Sequence, residues 1–249
     1  MQIANGIAML EISAVVMGET QTVFPTLFWN DDTAMLVDTG YPGQQQLIQD
    51  ALKQYGVSIE NLLNIVLTHQ DIDHIGSVSG LLKLVSHKIN VLSHPLEKPY
   101  IEGDKRLLKF SAEVIAQIVE ALPREWPEER RAAFKFALEN PPKAQVDHTL
   151  SASEEMTWYG GIVVIDTPGH TPGHISLYHK PSKTLVAGDC MMLVENELCL
   201  PNPETCHDFN VAKQSLRKLS SFDIASVICY HGGLYNKDAN SRIREIATS

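Results

Sequence analysis

Residues 64–75 read NIVLTHQDIDHI, an apolar run followed at once by a dense group of side chains that can bind metal ions. These side chains are His69, Asp71, Asp73 and His74. A protein core does not accommodate two carboxylates and two imidazoles together unless their charges are compensated. A divalent cation is one such compensation, because it neutralises carboxylates and accepts imidazole nitrogens as ligands. The alternative is a solvated polar loop in which Asp73 caps the helix that follows.

Three further segments place potential metal ligands directly after predicted strands. In residues 166–174, DTPGHTPGH, two Pro-Gly pairs form tight turns around His170. The other two segments are Gly188-Asp189 and the run HGG that begins at His231. Each segment alone is a weak signal. Four separate strand ends each deliver such a residue, and this recurrence is hard to attribute to coincidence.

Hydrophobic patterning divides the chain into alternating strands and helices. Strands are predicted at 7–16, 22–29, 34–38, 64–68, 89–93, 162–166, 175–179, 184–187 and 224–230. Helices are predicted at 44–55, 75–87, 102–122, 128–139, 208–220 and 239–247. The two helices at 102–122 and 128–139 interrupt the order, so residues 97–142 are interpreted as a helical insertion in a single domain of residues 1–249. The insertion is interpreted as a packed surface layer, and a lid or a homodimer contact is the alternative with a functional role.

Composition narrows the classes of protein. The 249 residues carry a net charge of −10, which disfavours a nucleic-acid partner because phosphates repel an acidic surface. No apolar run reaches the roughly 18 residues of a membrane span, so no membrane partner is expected. The first 13 residues contain no Lys or Arg, so no secretory signal is expected. Four cysteines without a CxxC pair predict free thiols and a cytoplasmic location, with Cys190 and Cys229 as buried, inert thiols.

In content and order, these segments resemble the signature of the metallo-β-lactamase superfamily. That signature is His-x-His-x-Asp-His, then a Pro-Gly-His loop, then Gly-Asp and a late His. The run VDTG at residues 37–40 resembles the family's first motif, in which the aspartate, here Asp38, supports the site. The resemblance spans residues 38–231. It implies an α/β (α+β) fold with four αββα layers, in which two mixed sheets pack face to face with helices outside.

The resemblance also implies a role for each residue of the signature. The implied ligands are His69, Asp71 and His170 for one divalent cation, Asp73, His74 and His231 for a second, and Asp189 for both. Asp73 would also be catalytic, because it would orient a hydroxide that bridges the two cations. Position 71 departs from the family, since aspartate replaces histidine there. With Asp71 the metals, carboxylates and hydroxide sum to zero charge, so Mn²⁺ or Fe²⁺ becomes an alternative to the expected Zn²⁺.

The activity implied by the resemblance is metal-dependent hydrolysis of a small-molecule ester, lactone or thioester. Two alternatives remain open: a mononuclear-iron oxidoreductase similar to persulfide dioxygenases, and a non-catalytic metal-binding protein. Candidate substrate contacts are His94, His207 and Tyr235, with Tyr230 as a further candidate. His174, at the start of a predicted strand, is expected to be structural.

Overall fold

The computed structural model describes residues 1–16 and 18–248. In chain order its strands are β1 (Gln2–Ala4), β2 (Ile7–Met9), β3 (Ile12–Val16), β4 (Glu19–Val23), β5 (Thr26–Trp29), β6 (Ala34–Val37), β7 (Leu62–Leu67), β8 (Asn90–Ser93), β9 (His148–Thr149), β10 (Glu155–Met156), β11 (Ile162–Asp166), β12 (Ile175–His179), β13 (Thr184–Gly188), β14 (Met192–Val194), β15 (Glu197–Cys199), β16 (Ser226–Cys229) and β17 (Gly233–Tyr235). The helices are α1 (Gln45–Lys53), α2 (Ile72–Ile75), α3 (Val78–Leu82), α4 (Lys98–Ile101), α5 (Ala112–Ala121), α6 (Glu128–Glu139), α7 (Phe209–Leu219) and α8 (Ala239–Thr248).

The strands form two mixed sheets and two separate hairpins. The first sheet has the order β1-β2-β5-β6-β7-β8-β9, and the second has the order β10-β11-β12-β13-β16-β17. Strands β6 to β9 run parallel to one another, as do β13 and β16, while the other pairs in the two sheets are antiparallel. The hairpins are β3-β4 and β14-β15.

The two sheets share one hydrophobic layer and each packs helices on its other face. In β6, Met35 belongs to the layer between the sheets, whereas Leu36 packs in the layer that contains Ile48 of α1. The same alternation holds in β13, where Val186 faces the first sheet and Leu185 packs in the layer that contains α7 and α8. Successive strand side chains point to opposite faces, so strands that are apolar throughout bury both faces. The predicted αββα sandwich is therefore confirmed.

Two helix predictions are wrong in extent. The helix expected at 75–87 is divided into the short α2 and α3, and Ser77 precedes α3 with non-helical backbone angles. The helix expected at 102–122 begins only at Ala112, where the Ser111 side chain accepts a hydrogen bond from Val114 N–H. Gly103 has a positive φ of 79°, a conformation that ends α4. Residues 104–110 after it form a turn-rich segment. That segment runs into the candidate site.

The helices of the insertion lie between β8 and β9, which are neighbours in the first sheet. Helices α5 and α6 are joined by the Arg131 side chain, whose guanidinium donates to the carbonyl oxygens of Val119, Leu122 and Pro123. These bonds satisfy free carbonyls at the end of α5. They hold the two helices as one unit. Within the described residues, the helices lack the length and apolar character needed to span a bilayer.

Candidate metal centre

Four loops deliver the predicted ligands to one edge of the sandwich. The loop after β7 carries four of them, and His170, Asp189 and His231 follow β11, β13 and β16. The sheets are joined at this edge, because Ile175 N–H donates to the Thr68 carbonyl oxygen over 3.1 Å. Gly188 has a φ of 55°, and a Cβ there would lie 2.7 Å from His174 Nε2, so the close approach of these loops requires glycine.

The first ligand group brings together two imidazoles and two carboxylates, all buried: His69, Asp71, His170 and Asp189. Asp71 Oδ2 lies 3.2 Å from His69 Nε2 and 3.0 Å from His170 Nε2. Asp189 Oδ2 lies 3.3 Å from the same His170 nitrogen. These atoms converge on a common centre, as metal ligands do.

The second ligand group consists of Asp73, His74 and His231. Asp73 Oδ2 lies 3.2 Å from His231 Nε2. The oxygens of Asp189 are close to this group as well, since Asp189 Oδ1 is 3.3 Å from His74 Nε2 and Asp189 Oδ2 is 3.4 Å from His231 Nε2. Asp189 therefore faces both ligand groups, which places the other six predicted ligands around one shared carboxylate.

Asp38 orients the imidazoles from beneath the site. It is buried, and its carboxylate accepts hydrogen bonds from Thr68 N–H and Thr68 Oγ1, each at 2.8 Å. His74 Nδ1 lies 2.9 Å from Asp38 Oδ2, so its proton is on Nδ1 and Nε2 is free to bind a metal. Because the Thr68 hydroxyl donates to Asp38, it accepts from His69 Nδ1 at 3.0 Å and leaves His69 Nε2 free too.

The donor set fits a metal. Within the described part of the chain, His69 Nε2, His74 Nε2 and Asp189 Oδ1 are buried atoms without a hydrogen bond of good geometry. Buried polar atoms are normally paired, and leaving them unpaired costs free energy. Imidazole nitrogens and carboxylate oxygens are ordinary ligands of divalent transition metals. The residues present therefore suit divalent metal ions.

The carboxylates and imidazoles of the site shift one another's pKa values. Burial opposes ionisation of Asp189, yet the imidazoles of His231, His74 and His170 hold its pKa well below the usual range. Burial likewise opposes protonation of His170, but the carboxylates of Asp189 and Asp71 raise its pKa to about 9. Ionised carboxylates are the form that binds metal, and protons on the imidazoles compete with metal for the same nitrogens.

His174 is the structural histidine that the sequence predicts. Burial holds its pKa well below the usual range, so the imidazole is neutral. Its Nε2 accepts a hydrogen bond from Asp189 N–H over 2.9 Å, and its Nδ1 therefore donates to Thr167 Oγ1 over 2.8 Å. The ring thus holds the backbone of Asp189 in place.

Lys109 is a site residue that the sequence analysis missed. Its Nζ contacts the Asp71 carboxylate and lies 2.7 Å from His170 Nε2. The sequence analysis placed Lys109 in the predicted helix at 102–122. A lysine on the surface of a helix does not by itself indicate a functional role. The unbalanced charge of Asp71 is the signal that could have indicated a nearby cation. One ammonium group offsets the negative charge that Asp71 adds relative to a neutral histidine.

Glu97 is a second residue that the sequence did not indicate. It is fully buried, and its carboxylate accepts hydrogen bonds from Gln70 N–H, Gln70 Nε2, Thr171 Oγ1 and Gly173 N–H over 2.7–3.1 Å. Gln70 Oε1 in turn accepts from Leu108 N–H over 2.8 Å. Glu97 therefore ties the loop after β7 to the loop after β11, and Gln70 extends the link to the segment that carries Lys109.

A cavity of about 330 Å³ opens over the ligand groups, and the three predicted substrate contacts do not line it. Tyr235, in β17, is buried on the outer face of the second sheet, where it packs with residues of α7, α8 and β16. His94 Nδ1 accepts a hydrogen bond from Leu96 N–H at 3.2 Å, and His207 is exposed outside the cavity lining. Tyr230 is also buried, and its hydroxyl donates to the Asp73 carbonyl oxygen over 2.5 Å. It positions the loop and does not reach the cavity.

The cysteines divide into two classes, which gives a testable prediction. Burial raises the pKa of Cys190 to about 12 and that of Cys229 well above its usual range, whereas Cys199 and Cys206 are partly exposed. At pH 8 we expect a thiol reagent such as DTNB to modify Cys199 and Cys206 in the folded protein, because only their thiolates are accessible. Cys190 and Cys229 should react only after denaturation. Rapid modification of four thiols in the folded protein would contradict this.

Comparisons with known proteins identify the family of the chain. A family model described as the metallo-beta-lactamase superfamily matches residues 20–231. The probable metallo-hydrolase YflN of Bacillus subtilis (strain 168) is 28% identical over 226 residues, which cover 86% of this chain and 81% of that protein. The hydroxyacylglutathione hydrolase GloC of Haemophilus influenzae is 24% identical over 169 residues, 67% of this chain and 65% of that protein.

A solved structure shares the fold. The metallo-beta-lactamase family protein TTHA1429 from Thermus thermophilus superposes with a TM-score of 0.70 at 22% identity, covering 99% of this chain and 79% of that one. The family match extends over most of the chain, from before the Asp38 motif to the final predicted ligand, His231. The chain therefore belongs to the metallo-beta-lactamase superfamily.

Proposed function

We propose that this protein is a hydrolase that uses two divalent cations to cleave a small ester, lactone or thioester. The observation that carries the proposal is the position of Asp189, whose Oδ2 lies 3.3 Å from His170 Nε2 and 3.4 Å from His231 Nε2. A carboxylate shared by two ligand groups suits two adjacent cations. The hydrolase names of YflN and GloC support the reaction class, and GloC supports a thioester among the substrates.

When bound, divalent cations supply Lewis acidity toward a substrate oxygen and lower the pKa of water. Asp73 lies at the cavity, and despite its burial, His74 and His231 lower the pKa of its carboxyl. The ionised carboxylate can accept a hydrogen bond from the attacking water and orient it. Lys109 lines the same cavity, and its ammonium group can donate to the oxygen on which negative charge develops.

We further propose Zn²⁺ as the metal, with Mn²⁺ or Fe²⁺ as the alternatives that Asp71 introduces. A carboxylate in place of an imidazole favours harder cations. The Lys109 ammonium works in the opposite direction, because its contact with Asp71 reduces the negative charge of that ligand. This compensation supports a site whose electrostatics remain suited to Zn²⁺.

The proposal is tested by metal content and hydrolysis together. We expect about two transition-metal ions per chain by elemental mass spectrometry after purification without added metal or chelator. Dialysis against a chelator should abolish hydrolysis of at least one member of a panel of nitrophenyl esters, acyl lactones and acyl thioesters, and added Zn²⁺ or Mn²⁺ should restore it. One iron per chain with thiol-dependent oxygen uptake would instead favour an oxidoreductase. No metal uptake at all would contradict both the hydrolase and the oxidoreductase.

Replacing Lys109 by methionine should separate metal binding from turnover. Removing a positive charge beside the first ligand group should tighten metal binding by about tenfold, since the ammonium repels a cation and contacts its ligand atoms. Hydrolysis should nevertheless slow by about a hundredfold, because a donor to the developing oxyanion is lost. Titration calorimetry and kcat/KM measure the two effects.

Lys105→Met is the matched control for this prediction. Lys105 lies in the same segment, but its ammonium stands over the Tyr100 ring, 5.5 Å from the centroid. We expect metal affinity and kcat/KM to stay within about twofold of the wild type, because exposed charges at a distance are screened. Slower turnover with weaker metal binding in Lys109→Met would show that Lys109 only supports the fold of the site.

A further inference from the structure

A second cavity, of about 640 Å³, adjoins the metal centre. Ile72 and Phe110 line both cavities, so the two cavities are neighbours that meet at these two side chains. Ile72 belongs to the metal-binding loop itself, between Asp71 and Asp73. An elongated molecule can therefore occupy both cavities at once. We call the second cavity the apolar groove.

The walls of the apolar groove come from the β3-β4 hairpin and from the helical insertion. Its principal side chains are Val16, Phe110, Ile118, Trp126, Phe134 and Leu138. Trp126 and Phe134 pack edge to face, with ring centroids 5.9 Å apart. Arg130 is the only charged residue among the described residues that line the groove, and its guanidinium stacks on Trp126 at 3.7 Å. A polar ligand group placed here would lose hydrogen bonds to water without replacing them.

The two cavities differ in charge. The metal cavity has six ionisable side chains beside apolar ones such as Met191 and Met192: Asp71, Asp73, Asp189, His170, His231 and Lys109. The groove beyond Phe110 is almost entirely apolar. Both volumes lie within the range of small-molecule sites, roughly 300–1,000 Å³. The matching ligand has a compact polar reacting group and a longer apolar part attached to it. A surface that binds another protein would not need to adjoin the cavity above the ligand groups, as this groove does at Ile72 and Phe110.

We propose that the apolar groove holds the hydrocarbon chain of an acyl substrate whose ester, lactone or thioester carbonyl lies in the metal cavity. This inference rests on the proposed hydrolysis and names its substrate class. Hydroxide from water adds to the acyl carbonyl carbon, the bond from that carbon to oxygen or sulfur breaks, and the leaving group takes a proton. An ester or thioester gives a fatty carboxylate and an alcohol or thiol, a lactone gives a single hydroxycarboxylate, and the proton of the new carboxylic acid passes to solvent. Lys109, which lines the metal cavity beside Phe110, provides a positive charge for that carboxylate.

The first test is the dependence of kcat/KM on chain length, measured with 4-nitrophenyl esters from acetate to decanoate. Each methylene group that enters the groove should raise kcat/KM by up to about fourfold, until the groove is filled. The decanoate-to-acetate ratio should fall by about tenfold in Phe134→Ala, which widens the groove, and in Ala133→Trp, which obstructs it.

Phe136→Ala is the matched control. Phe136 lies on the same helix two residues away, is 66% exposed and does not line the groove. The dependence of kcat/KM on chain length in Phe136→Ala should equal that of the wild type. An equal fall of the decanoate-to-acetate ratio in Phe134→Ala and Phe136→Ala would overturn the proposal. It would show that any truncation on α6 has this effect, whether or not the residue lines the groove.

A binding measurement separates this proposal from the proposed hydrolysis. Decanoate should change the fluorescence of Trp126 in a saturable manner, and the change should vanish in Trp126→Phe. Hydrolysis of the acetate ester with no chain-length dependence and no decanoate signal would overturn the groove assignment and leave the hydrolase intact. Decanoate binding without hydrolysis of any ester would support the groove and contradict the hydrolase. A concentration-dependent dimer that Ala133→Trp dissociates, with no decanoate signal, would assign the groove to a second copy of the chain.

Discussion

Asp189→Ala should reduce hydrolysis by at least about a thousandfold and lower the metal content from two ions per chain to one or fewer. Asp189 contributes oxygens to both ligand groups, within 3.3–3.4 Å of the nitrogens of His170, His74 and His231. Its removal leaves three imidazoles without their shared anion. Lewis-acid stabilisation of a transition state is worth several kcal/mol, and about 4 kcal/mol corresponds to a factor of a thousand.

The Asp189 prediction is checked by kcat/KM and elemental mass spectrometry on the same preparation. Asp31→Ala is the control, because Asp31 is an exposed loop aspartate remote from the site in sequence and structure. Asp189→Asn keeps the volume of the side chain and separates loss of charge from loss of packing. If Asp189→Ala retains two metal ions per chain and wild-type turnover, the assignment of a shared carboxylate is wrong.

Glu97→Ala should lower the free energy of unfolding by about 3–5 kcal/mol and weaken metal binding by roughly tenfold to a hundredfold. Four donors around Glu97 lose their acceptor inside the protein: two from Gln70, one from Thr171 and one from Gly173. Removing one partner of a buried charged network costs this much, because the remaining groups stay buried and unpaired. Ligands lose affinity when the groups that orient them are removed.

Thermal unfolding should show the Glu97 effect as a fall in Tm of about 10 °C for a chain of this size. The control is Glu139→Ala, whose exposed carboxylate lies 3.8 Å from Lys135 and should contribute less than about 1 kcal/mol. Glu97→Gln retains one acceptor oxygen, so its loss of stability should be smaller. Equal stability of Glu97→Ala and Glu139→Ala would show that Glu97 does not join the two loops.

Strand and helix predictions both failed where the fold divides an apolar run. The strand expected at 7–16 is divided into β2 and β3, and the one expected at 22–29 includes parts of β4 and β5. The strands at 162–166 and 175–179 are confirmed because apolar runs between turn-forming residues are local features. The helix at 102–122 was overextended because the apolar spacing continues through Leu107 and Leu108, while tertiary contacts there override it. Leu107 is buried in the main core, and Leu108 N–H binds Gln70, so both positions serve packing outside a helix.

The amino-acid sequence alone indicated the seven candidate ligands, because they lie in short polar motifs directly after apolar strands. The resemblance that these motifs carry implied the family and the layer architecture. The sequence did not determine which residues surround those ligands. Lys109, Glu97 and the apolar groove each depend on residues distant along the chain, such as Asp71 and Lys109, which are 38 positions apart. Charges and cavities of this kind arise only when separate segments pack together. For that reason the tertiary structure alone decided the compensation of Asp71, the link between the ligand loops and the hydrocarbon chain proposed for the substrate.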